Sequence, residues 1–194
     1  MEETCGTEEG AMRIFLVRHG ESEGNVAGII SDNPARIVNL TERGRAQAEA
    51  AAEKLRAVPF THAYASEFAR AQQTVHILLR HHACPLQIDA RLNERRSGLD
   101  GLPVQVFHDL VGSDPLHTKP EHGESFLEQM ERLRDFLDAV AAHHPGGTVL
   151  AASHEHPILA AYALTVADPE QVVRNGCLDN CEWVELDWSV KAPR

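Results

Sequence analysis

The sequence predicts one α/β domain, a three-layer α/β/α sandwich with a mostly parallel central sheet. Three observations carry that prediction. Short apolar runs at 13–17, 63–65 and 148–152 have the length and polar flanks of buried strands. The segments between them repeat apolar residues every three or four positions, as helices with one buried face do. The 194 residues, 43% hydrophobic and 24% charged, suit one ordinary soluble core. Strands alternating with helices place the sheet between two helical layers.

Residues 1–11 (MEETCGTEEGA) are polar and aperiodic, which predicts a flexible leader. The run RIFLV at 13–17 then ends in the polar cluster 18–25, as a buried strand running into a loop would. Thr41 caps a predicted helix whose inner side is Ala48, Ala51, Ala52 and Leu55, although Gly44 stands where a capping box wants Glu. After a short strand near 63–65, a second helix carries Phe68, Ala71, Val75, Leu78 and Leu79, with Ser66 and Arg70 at its beginning. Residues 93–124 are punctuated by Gly98, Gly101, Pro103, Gly112, Pro115, Pro120 and Gly123, so an irregular excursion is expected there, with one short helix at 104–111. A long helix at 125–143 presents Phe126, Met130, Leu133, Leu137 and Val140 on one face. The Pro145-Gly146-Gly147 turn leads into the strand at 148–152, which meets a second polar loop, Ser153-His154-Glu155-His156. Pro157 fits the first turn of a helix reaching about Val166, and 182–188 alternates like a last strand with one wet face.

Composition excludes several classes of function. A net charge of −11 without any Lys/Arg run removes the basic footprint of a nucleic-acid binder. No stretch approaches the roughly 20 apolar residues of a membrane helix, and the acidic leader does not resemble a signal peptide, so the cytoplasm is the expected compartment. Four scattered cysteines predict reduced thiols rather than a disulfide framework. Neither Cys177-x3-Cys181 nor His154-Glu155-His156 has metal-ligand spacing, so no metal is expected. Nothing in the sequence calls for a cofactor. The strand around Trp183 and Trp188 is either an edge that pairs with a second copy, making a homodimer, or a covered edge.

The chemistry concentrates where strands end. Two apolar strands each run into a loop bearing a histidine, His19 and His154, and open α/β sheets gather ligands at the carboxyl ends of their strands. Arg18 and Arg70 bring guanidinium forks that match phosphoryl oxygens, so the shared pocket reads as a phosphate clamp. A neutral imidazole can attack phosphorus if its other nitrogen carries a proton fixed by a hydrogen bond. The neighbouring arginines predict a lowered pKa for His19.

Leu16-Val17-Arg18-His19-Gly20-Glu21-Ser22-x-x-Asn25 resembles the RHG signature of the histidine phosphatase superfamily, which includes the cofactor-dependent phosphoglycerate mutases. The resemblance continues in order through Leu40-Thr41-x-x-Gly44-x-x-Gln47-Ala48, Ser66-x-x-x-Arg70-Ala71-x-x-Thr74, Leu92-Asn93-Glu94, Gly123-Glu124-Ser125 and Ser153-His154. It implies a phosphoglycerate mutase-like fold with one antiparallel edge strand. It also implies that His19 is the nucleophile, that Arg18, Arg70, Asn25 and His154 hold the phosphoryl oxygens, and that Glu94 is the proton donor. A Glu whose ionisation is hindered by burial or by a bound dianion suits that last role.

Four features bear on how the chain departs from the family. Glu155-His156 replaces the usual Gly after the second histidine, so the Glu155 carboxylate must point away from the phosphate or meet a cationic or hydroxyl group of the substrate. Gly98 and Gly101 leave the acid loop one residue tighter than usual. Arg95 and Arg96, directly after the acid, either reach a second anionic group of the substrate, such as a carboxylate or another phosphate, or one or both are solvated. Only 60 residues separate Glu94 from His154, without the insertion that cradles phosphoglycerate in the mutases. The expectation is therefore a metal-independent phosphatase acting on a small phosphorylated substrate through a phosphohistidine. Mutase-type transfer and a non-catalytic phosphate-binding module of the same fold are the alternatives.

Overall fold

A computed structural model describes residues 10–190. Most of the predicted leader, 1–9, lies outside the described residues. The elements run β1 (Met12–Arg18), α1 (Glu23–Ala27), α2 (Glu42–Leu55), β2 (His62–Ala65), α3 (Ala69–Leu78), β3 (Leu86–Ile88), α4 (Val104–Val111), α5 (Phe126–His143), β4 (Thr148–Ser153), α6 (Glu155–Ala163), α7 (Pro169–Asn175) and β5 (Trp183–Trp188). The sheet has the order β3-β2-β4-β1-β5. Its first four strands are parallel, and β5 closes the β1 edge antiparallel.

Helices cover both faces. On one side Ile14 and Leu16 of β1 and Val149 and Ala151 of β4 join a cluster with Leu133 and Leu137 of α5 and Ile158 of α6. On the other side Phe15, Val17, Leu150 and Ala152 pack with Ala48 and Ala52 of α2 and Ala71 and Val75 of α3. Burial on both faces explains why β1 and β4 read as unbroken apolar runs while the edge strand β5 alternates. None of the helices among the described residues is long and apolar enough to cross a membrane.

The parallel pairing positions the site. Its register sets Arg18 opposite Ser153, so the next residues, His19 and His154, emerge side by side at the carboxyl edge of the sheet. The Thr41 cap and the helix at 104–111 form as expected. Four elements differ from expectation. The cluster 18–25 contains a helix, α1, because Ser22 and Asn25 cap it reciprocally and Gly28, at φ +63°, ends it. The three-residue β3 and the α7 turn, capped by Asp168, are too short to leave a periodic signal. Helix α6 starts at Glu155, with His154 at its N-cap, and stops at Ala163, short of Val166.

Candidate active site

His19 lies at the floor of a cavity of about 310 Å³ whose polar lining includes Arg18, Arg70, Glu94 and Glu155. Its position is set by several neighbours. The His19 backbone donates to Ser153 O (3.0 Å), Asn180 Nδ2 donates to the His19 carbonyl (2.9 Å), and the next amide, Gly20, donates to Thr74 Oγ1 (3.1 Å). The ring has one tautomer that satisfies both its contacts. Arg70 Nε donates to His19 Nε2 (3.0 Å), so Nε2 carries a lone pair and Nδ1 donates its proton to the Gly20 carbonyl (2.7 Å). Burial first, and then the charges of Arg70 and Arg18, lower the imidazole to about 3. A neutral ring with an in-plane lone pair at Nε2 is therefore what the fold presents at neutral pH.

Arg70 is the hub of the site. It reaches from α3 to His19, to His154 Nδ1 (3.1 Å) and to the hydroxyl and carbonyl of Ser31 (3.1 and 2.9 Å). Burial lowers it to about 10, which leaves it charged at neutral pH. His154 is fully buried, its ring centroid 5.0 Å from that of His19. Because Nδ1 faces a guanidinium, its proton sits on Nε2 and is donated to Ser66 Oγ (2.9 Å). His154 thus stands behind Arg70 rather than in the cavity wall.

Arg18 lines the cavity. Its terminal nitrogens are engaged by the Leu178 carbonyl and by Glu155 Oε2 (3.1 Å), while its buried Nε has no protein partner. Asn25 also lines the cavity; its carbonyl oxygen takes the Ser22 amide and hydroxyl, which leaves the NH2 as its donor toward a ligand. Glu94 faces the same space across from His19. Burial would push its carboxyl up, but contact with His156 and the Arg95 amide outweigh that and hold it well below the usual carboxylate range. Of the two causes expected to hinder its ionisation, burial alone is outweighed, which leaves the charge of a bound dianion for that role.

The described chain matches the profile of the histidine phosphatase superfamily (branch 1) over residues 14–194. The protein belongs to that superfamily. It is 34% identical to the 2,3-bisphosphoglycerate-dependent phosphoglycerate mutase of Mesorhizobium japonicum, covering 83% of this chain and 85% of that one. It is 30% identical to the adenosylcobalamin/alpha-ribazole phosphatase of Salmonella typhimurium, covering 88% and 92%. Among solved structures, the alpha-ribazole phosphatase of Shigella flexneri superposes with a TM-score of 0.79 at 26% identity, over 92% of this chain and 91% of that one.

Within this histidine phosphatase, the departures from the family pattern acquire physical explanations. Glu155 turns to the protein's own Arg18 and also accepts the Leu178 amide (3.3 Å), so its carboxylate is paired with a cation at the cavity wall. Of the two alternatives for Arg95 and Arg96, solvation holds for one of them, Arg96. Arg95 is buried and donates to the carbonyls of Glu124, Pro115 and Thr118, fastening the 93–124 excursion, while the exposed Arg96 leans on Glu124. The tighter acid loop is tied down by Asp32 Oδ2, which accepts from Ser97 N and Oγ (2.5 and 2.7 Å) and Gly98 N (3.2 Å). Two residues of the site had no role in the sequence reading. Ser31 holds Arg70, and nothing in its local sequence marks it. His156 approaches Glu94 Oε1 at 3.5 Å, and its place two residues beyond His154, at the start of a helix, was the available signal.

Proposed function

We propose that this protein hydrolyses a small phosphomonoester in two displacements, through a phosphohistidine on His19. The observation that carries the reading is the fixed tautomer of His19, with Nδ1–H held by the Gly20 carbonyl and the Nε2 lone pair facing charged guanidinium groups. The phosphoryl group takes the place of the Arg70 contact at Nε2, and Arg18, Arg70 and the Asn25 amide receive its three equatorial oxygens. Arg18 Nε, buried without a protein partner, is a donor suited to one of them. His154 aligns Arg70 from behind, and a protonated Glu94 gives its proton to the leaving oxygen before taking one from the attacking water.

Hydrolysis is favoured over mutase-type transfer because the cations near the cavity are already engaged. Arg95 is held by three backbone carbonyls, so it does not offer the open guanidinium that a substrate carboxylate needs. The deciding experiment measures phosphate release from 4-nitrophenyl phosphate in excess chelator, for wild type and His19→Ala. Turnover that survives the chelator and vanishes in the variant, with an acid-labile phosphoenzyme trapped only in wild type, is the expected result. Turnover abolished by the chelator, or retained in the variant, would overturn the reading.

A further inference from the structure

The proposed hydrolysis leaves a proton unaccounted for. A proton donor must be protonated when the ester bond breaks, yet Glu94 is held as a carboxylate by its surroundings before substrate arrives. Both contacts described above fall on Oε1, which takes the Arg95 amide (2.7 Å) and faces His156 Nδ1 (3.5 Å). Oε2 is free of both contacts, so an O–H formed at Oε1 reaches the leaving group when the carboxyl turns about its Cγ–Cδ bond. His156 and Glu94 line the same cavity, and both side chains are partly open to it. The His156 ring is steadied edge-on by Phe107 of α4, with centroids 5.7 Å apart.

Resting on the phosphohistidine reading, we propose that His156 is the proton partner of Glu94 and that the two side chains together hold the proton which the leaving oxygen receives. The dianionic ester brings negative charge beside Glu94, and the proton passes from His156 Nδ1 to Glu94. As the bond from phosphorus to the leaving oxygen breaks and the bond to His19 Nε2 forms, Glu94 gives that proton to the alkoxide, and a neutral alcohol departs. Water then attacks the phosphohistidine, its proton returns through Glu94 to His156, and phosphate leaves with His19 neutral again. The charged and titratable neighbours are arranged for this transfer. Glu94 feels the charges of His19, Arg70 and Arg95 and the buried His154, and the cavity it shares with His156 is also lined by Arg18, His108 and Glu155.

Two substrates separate this role from a structural one. The nitrophenolate of 4-nitrophenyl phosphate leaves without a proton, whereas the alkoxide of 2-phenylethyl phosphate requires one. His156→Gln and His156→Asn should lower kcat/KM, which reports only the steps up to the phosphoenzyme, by about tenfold or more on the alkyl ester and by less than about threefold on the nitrophenyl ester. Glu94→Gln should show the same contrast, and the Glu94→Gln/His156→Gln double variant should be no slower than Glu94→Gln alone. Equal losses on the two esters in both His156 variants, with unfolding midpoints unchanged, would overturn the role of His156 while leaving the phosphohistidine intact. A wild-type protein that turns over neither ester and traps no phosphoenzyme would overturn the phosphohistidine reading and this inference with it.

Discussion

At the scale of single residues, the proposed phosphate subsite is defined by how each guanidinium is held. Arg70 is fixed by Ser31 on one side and two imidazoles on the other, whereas Arg18 depends on Glu155, a residue particular to this chain. Glu155 restrains Arg18 but also sets a negative charge close to where a dianion binds. Glu155→Gln keeps a hydrogen-bonding group and removes the charge, so inhibition by inorganic phosphate should tighten two- to fivefold, about 0.5–1 kcal/mol for a partly shielded pair. Weaker inhibition in that variant would mean that orientation of Arg18 outweighs the repulsion. The histidine pair was legible in the sequence because each residue follows an apolar strand, and the direction of the His19 shift followed from its arginines. The larger cause, burial, was not legible, since it depends on Ser66, Ser153 and His154 all being sealed beneath the site. Glu94 was legible as a candidate acid, but its contact with His156, which lowers its pKa, was not, because His156 arrives from a different element.

At the scale of elements, two backbone contacts bind the catalytic loop to its support. A Cβ on Gly44 would lie 2.0 Å from the Glu21 carbonyl oxygen, and a Cβ on Gly20 would lie 2.3 Å from the Gly44 carbonyl oxygen. This close approach is why α2 begins Thr41-x-x-Gly44 and forgoes the Glu of a capping box. Thr41 Oγ1 still accepts the Gly44 amide (3.0 Å). Gly44→Ala should therefore cost about 1–3 kcal/mol in urea unfolding despite its better helix propensity, and should lower kcat because the displaced loop carries His19. Gly24→Ala is the control, since its Cβ would meet nothing nearer than a Val38 methyl at 3.5 Å. It should leave stability unchanged or raise it by up to about 1 kcal/mol. The acid loop is held differently. Buried Glu124 takes two hydrogen bonds from Arg132 of α5, which also donates to the carbonyls of Arg91 and Asn93 next to Glu94. Arg132→Met leaves Glu124 without its main partner and should cost about 3–5 kcal/mol; a loss below about 1 kcal/mol would show that Arg96 suffices. The long helices and β1 and β4 were legible because burial forces a periodic pattern. Helix α1, β3 and α7 were not, because five, three and seven residues held by caps and neighbours carry too little pattern of their own.

At the scale of the whole molecule, the site opposes the stability of the fold, and the effect has a definite pH window. His19 and His154 are both buried between the helical layers with lowered pKa values, because desolvation and the Arg70 charge disfavour their protonated forms. In the unfolded chain His19 regains its ordinary value of 6.5, against about 3 in the fold. Between those values the unfolded state binds a proton that the native state refuses, so stability is full above pH 6.5 and is lost as pH falls toward 3. The loss is about 1.4 kcal/mol per pH unit for each such imidazole, or about 2 kcal/mol from His19 alone by pH 5. Glu94, held low by His156 and the Arg95 amide, adds a loss in the same direction at more acid pH. Urea midpoints for wild type and His19→Gln at pH 8, 6.5, 5.5 and 5 isolate the His19 share, since every other titrating group is common to both. The two proteins should keep a constant difference in stability at and above pH 6.5, and wild type should fall more steeply below it. Parallel curves down to pH 5 would mean that His19 takes up its proton inside the fold, and the neutral nucleophile would then be lost in that range along with the argument for it.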